Sequence, residues 1–155
     1  MDRSKKPLLK RRAVLFGAVA TIAAGGATAA YFYRPNYEGG ALTVTEAHQA
    51  AVAGDVFLVD VRRPDEWEKT GVGVGANPID MRRDDFIAEL DKLTDGAKDA
   101  PVALICARGV RSARLSNQLT EAGYTNIIDV PEGMLGSTAG PGWLKTGLPT
   151  KTPQG

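Results

Sequence analysis

The chain has 155 residues with 43% apolar content and a formal net charge of +1, enough for one globular domain plus an extension. That charge is unevenly spread: six of the 19 Lys and Arg fall in the first twelve residues, leaving a mildly acidic body with 13 basic against 17 acidic side chains. An acidic body excludes a nucleic-acid footprint, one cysteine excludes an internal disulfide, and one histidine with one cysteine offers no metal cluster.

Lys5, Lys6, Lys10, Arg11 and Arg12 form a basic start, and Ala13 to Tyr33 follows for 21 residues without a charge. This is the pattern of an export signal or a membrane anchor, expected as a hydrophobic helix within residues 1–35. Ala27-Thr28-Ala29 suits cleavage, whereas Tyr31, Phe32 and Tyr33 suit an interfacial belt on a retained anchor. In both cases the domain is expected outside the cytoplasm, periplasmic or on the outer face of the cytoplasmic membrane. If the segment is uncleaved, residues 13–33 contact the membrane.

A linker is expected over residues 36–40, opening a domain of residues 36–150. Thr43 or Thr45 can cap a helix that Gly54 stops, with His48 on its surface. Val56 to Val61 reads as a central strand ending at Asp60, followed by Arg62, which can shape the site or form a buried structural ion pair with Asp60. Gly71 to Ala76 alternates glycine and valine, opens no helix and is not a dinucleotide fingerprint. Residues 77–81 suit a short strand, and Phe86, Ile87, Leu90 and Leu93 mark one face of a helix over residues 82–93.

Val102 to Ile105 is an apolar run behind Pro101, the signature of a strand covered on both faces. Leu115, Leu119 and Ala122 then give the apolar stripe of a helix from Arg111, stopped near Gly123. Cys106 therefore falls between a strand's carboxyl end and a helix N-terminus. Backbone N–H groups and the positive helix end converge there, and together with Arg108 and Arg111 they would stabilise a thiolate, the nucleophilic form. Residues 126–130 supply another strand, 131–142 a Gly/Pro-rich loop, Trp143 an anchored turn and 151–155 a disordered tail. Strands alternating with helices imply a three-layer α/β domain with a mainly parallel sheet of about five strands.

Three blocks carry a family resemblance. They are Cys106-Ala107-Arg108-Gly109-Val110-Arg111; Asp60-Val61-Arg62-Arg63-Pro64-Asp65-Glu66-Trp67; and Glu132-Gly133-Met134 followed by Trp143 and Gly147-Leu148-Pro149. Together they resemble the single-domain rhodanese-like sulfurtransferases, in which Cys-x-x-Gly-x-Arg encircles a sulfur atom. Gly71 to Ala76 departs from the family's Gly-His-Ile-x-Gly-Ala, because the histidine is missing.

The resemblance implies a sulfurtransferase that takes sulfane sulfur from thiosulfate or a related donor onto Cys106 and passes it to a thiophilic acceptor such as cyanide, a thiol or a protein. Ala107, Arg108, Gly109, Val110, Arg111 and Ser112 would form the loop that binds it, with Asp60 and Arg62 in support and no cofactor or metal. A membrane-tethered persulfide carrier or docking module without turnover is the alternative. A cysteine phosphatase is disfavoured, because related phosphatases place five residues between cysteine and arginine and this chain has four.

Overall fold

The computed structural model describes residues 33–153, so the expected N-terminal helix lies outside the described residues. Among the described residues no helix is long and apolar enough to cross a membrane.

Five parallel strands make the central sheet: β1 (Gly40–Ala41), β2 (Phe57–Asp60), β4 (Ala76–Pro78), β5 (Val102–Ile105) and β6 (Ile127–Val130). Their order is β1-β6-β5-β2-β4, with β5 in the middle and the two shortest strands at the edges. All four residues of β5 are buried, as a strand covered on both faces requires. A second, two-stranded antiparallel sheet pairs β3 (Val72–Gly73) with β7 (Thr150–Lys151). Lys151, the first residue of the expected tail, is therefore in a strand opposite Val72.

Among the described residues five helices connect and cover these strands: α1 (Val44–Ala53), α2 (Pro64–Thr70), α3 (Phe86–Thr94), α4 (Val110–Glu121) and the short α5 (Gly142–Lys145). Side chains alternate across the sheet, so successive β5 residues feed two separate cores. Ala103 and Ile105 join Val44, Ala47, Trp67, Met134 and Trp143 on the α1, α2 and α5 face. Val102 and Leu104 join Phe86, Leu90, Leu115, Leu119 and Cys106 on the α3 and α4 face.

Local chemistry sets the element ends. Thr43 caps α1 in a full capping box with Glu46, and Gly54 ends it in the left-handed region. Pro64 opens α2 at its first turn. The expected helix over 82–93 begins only at Phe86, because Asp80 accepts from the Arg82 backbone N–H (3.0 Å) and Arg83 reaches forward to Asp85 (2.7 Å). These short side-chain links hold the segment in turns instead of helix. His48 is half-buried and not on the surface: its ring meets Trp143 edge-on at 5.2 Å, and Nδ1 lies 3.1 Å from the Val74 carbonyl.

Candidate functional site

The sheet's central strand ends at Ile105, and Cys106 follows immediately, 1% exposed, with its side chain on the α4 face. The chain then turns through Ala107, Arg108 and Gly109 into α4. Gly109 sits at φ 81°, and its N–H donates back to the Cys106 Sγ at 3.2 Å. Only glycine fits here, since a Cβ would lie 2.2 Å from the Pro131 carbonyl oxygen. No side chain caps α4, so the N–H groups of its first turn, Val110, Arg111 and Ser112, keep no side-chain acceptor. Ser112 is fully buried with its Oγ 3.5 Å from Sγ.

The 131–136 segment fastens this loop from outside. Cys106 and Ala107 carbonyls accept from the Met134 and Leu135 N–H groups, both at 2.9 Å, and the Gly136 carbonyl accepts from Arg108 Nη1 at 3.2 Å. The Gly/Pro-rich loop thus walls the cysteine loop, and Arg108 itself remains exposed.

Arg111 makes a two-pronged pair with Glu66 of α2, Nη1 to Oε2 at 2.8 Å and Nη2 to Oε1 at 2.7 Å. Such fork-to-fork pairing fixes the guanidinium plane as well as its charge. Burial pushes the Glu66 carboxyl up, but the hydrogen bonds from Arg111 and from the Arg63 backbone N–H outweigh it and hold the group below the ordinary value. The Glu66 hydrogen bond in turn raises Arg111, so both partners stay charged. Glu66 was visible in the second sequence block, but its partner was not, because the two lie 45 residues apart.

Asp60 and Arg62 come together with each other. They form a buried ion pair (Nη2 to Oδ2, 2.7 Å), both side chains at most 1% exposed. The remaining Arg62 donors bind Thr70 Oγ1 and the Gly71 carbonyl, each at 2.8 Å. The pair therefore clamps the C-terminal end of α2, the helix that presents Glu66 to Arg111. Sequence reasoning missed Glu132 as a structural residue: it is buried, and its two carboxylate oxygens accept from the Val44 and Gly142 N–H groups, both at 3.1 Å. Among the described residues no cluster of His, Cys, Asp or Glu could hold a metal ion.

The altered Gly71 to Ala76 segment has a defined path without the family's histidine. Val72 and Gly73 pair with β7, the Val74 N–H donates to the Pro149 carbonyl at 3.0 Å, and Gly73 packs where a Cβ would meet the Trp143 ring at 2.5 Å.

The chain is similar to several known proteins. Thiosulfate sulfurtransferase 16 of Arabidopsis thaliana, a chloroplast protein, is 30% identical over 118 residues, covering 71% of this chain and 91% of that protein. A rhodanese-like domain protein from Staphylococcus aureus superposes with a TM-score of 0.51 at 28% identity, over 72% of this chain and 98% of that one. The polysulfide-sulfur transferase homodimer of Wolinella succinogenes shares the fold, with a TM-score of 0.57 at 22% identity over 94% and 93% of the two chains. The rhodanese-like domain family matches residues 43–138, a span that contains the cysteine loop, the Glu66–Arg111 pair and the Asp60–Arg62 clamp, and the chain belongs to that family.

Proposed function

We propose that the protein is a sulfurtransferase that carries sulfane sulfur as a persulfide on Cys106. The observation that carries this reading is the Gly109 N–H aimed at Sγ from 3.2 Å, in a loop whose further first-turn donors lack a side-chain cap. A terminal sulfur bonded to Sγ would carry the negative charge into this ring of N–H groups and toward the positive end of α4. In the first half-reaction the thiolate attacks the outer sulfur of thiosulfate, the donor's S–S bond breaks, and sulfite leaves with the bonding pair. In the second, an acceptor such as cyanide takes the outer sulfur and returns the thiolate. Exposed Arg108 supplies charge to draw in an anionic donor.

A second reading is favoured by Arg111, whose two terminal nitrogens are already engaged by Glu66. That leaves less charge for a dianion, which suits a carrier loaded by a partner and discharged slowly. The uncharged run of residues 13–33 supports export or membrane anchoring of either one.

The test is the intact mass of the purified chain before and after thiosulfate, with Cys106→Ser alongside and cyanide added last. The expected result is a one-sulfur gain on the wild type alone, reversed by cyanide with release of thiocyanate. An adduct that cyanide and thiols leave in place assigns the carrier role; no adduct rejects both.

A further inference from the structure

The outer face of the segment that walls the cysteine loop is apolar and cationic. Leu135 is 44% exposed and Leu144 36% exposed, although each follows a fully buried residue, Met134 and Trp143. Backbone hydrogen bonds tie both leucines to the loop: the Leu135 N–H donates to the Ala107 carbonyl at 2.9 Å, and the Leu144 N–H donates to the Met134 carbonyl at 3.1 Å. Arg108 is exposed on the loop and reaches the Gly136 carbonyl at 3.2 Å. Exposed Lys145 follows Leu144 at the end of α5.

Charge on this face is not matched from within. Exposed basic side chains elsewhere sit against a carboxylate, as Arg63 does against Asp65, Arg82 against Asp80 and Lys92 against Glu89. Arg108 and Lys145 make no ion pair among the described residues. Residues 133–155 contain no Asp or Glu, and neither do residues 106–120. Glu132, the acid nearest in sequence to Leu135, is buried with both oxygens bonded to backbone N–H groups. The body is net acidic, so this positive face is local.

We propose that Leu135, Leu144, Arg108 and Lys145 form a docking face for an acidic, partly apolar segment of a protein thiol that accepts sulfur from Cys106. The unmatched cations call for carboxylates, and the two leucines call for apolar side chains between them. Two leucines and two cations are too few for a standard protein interface of about 1,600 Å², and suit a single segment laid along the face. With the acceptor held there, its thiolate attacks the outer sulfur of the persulfide. The S–S bond breaks, Cys106 leaves as the thiolate, and the acceptor departs as the new persulfide, so one negative charge is exchanged for another. An anionic bilayer would also meet leucines and cations, but it carries no thiol to receive the sulfur.

The acceptor role rests on the sulfurtransferase reading, and the test separates the two. The full chain is titrated, without donor, into a fluorescent synthetic peptide of glutamate and leucine ending in cysteine, with a lysine and leucine peptide as counterpart, and binding is read by anisotropy. The acidic peptide is expected to bind more tightly than its counterpart, and Leu144→Ser and Lys145→Glu should each weaken it by about fivefold. Lys145→Glu alters only an exposed side chain, so it decides the matter if Leu144→Ser fails to fold. With thiosulfate as donor, both variants should raise the KM for the acidic peptide as acceptor and leave thiocyanate formation from cyanide unchanged. Equal binding of the two peptides, or undiminished binding by Lys145→Glu, would overturn the docking face. Displacement of the peptide by phosphatidylglycerol but not phosphatidylcholine vesicles would overturn it in favour of lipid, and a dimer that Lys145→Glu dissolves would give the face to a second copy of the chain. Peptide binding without thiocyanate keeps the docking face and rejects sulfur transfer; thiocyanate without peptide binding does the reverse.

Discussion

Glu66 joins the starts of α2 and α4 with one carboxylate. It accepts from the Arg63 backbone N–H at the start of α2 and from both terminal nitrogens of Arg111 at the start of α4. Its side chain is 17% exposed, so water screens the pair only in part. Because its folded pKa lies below the unfolded one, the stabilisation is present above the ordinary glutamate range and is lost as pH falls through the folded value. Glu66→Gln should therefore lower the urea midpoint at neutral pH, and the gap to wild type should close in acid. A gap of constant size from neutral to acid pH would show that the charge of Glu66 contributes nothing to it. The same substitution also leaves Arg111 without its anionic partner, so thiosulfate capture should strengthen while stability falls.

At the level of elements, α2 is only seven residues long and is held by what happens at its two ends. Its C-terminal end is clamped by Arg62, whose charge is balanced by Asp60 alone among the residues it contacts through ion pairs. Removing one partner of a buried pair strands the other charge, at a cost of about 3–5 kcal/mol. Asp60→Asn should thus lower the unfolding free energy by about that amount in chemical denaturation, and an effect below about 1 kcal/mol would mean that Arg62 finds another way to be satisfied. The strands and helices around this clamp were legible in sequence because their signals are local: the capping box at Thr43, the apolar run of β5, the stripe of Leu115 and Leu119. The cysteine loop was legible for the same reason. What could not be read was pairing across sequence distance, as between Glu66 and Arg111 or between Glu132 and the two helix starts it holds. Local side-chain competition also hid itself, which is why α3 starts four residues later than its apolar periodicity suggests.

Across the whole molecule, the chain closes on itself where β7 pairs with β3 and Trp143 lies fully buried against Gly73. Gly73→Ala would push a methyl group into the Trp143 ring, and overpacking of this kind costs about 1–3 kcal/mol. The expected outcome is a lower thermal midpoint with thiosulfate loading retained at 25 °C, because the cysteine loop is built on other elements. Loss of loading in a still-folded variant would show that this closure also sets the site. The outer strands of the main sheet have a consequence of their own. β1 is two residues long, and β4 is three and ends in Pro78, which has no N–H to offer. A neighbouring chain seeking to extend the sheet finds almost no backbone ladder on either border, so five parallel strands can be kept at high concentration without templating the edge-to-edge stacking that leads to fibres.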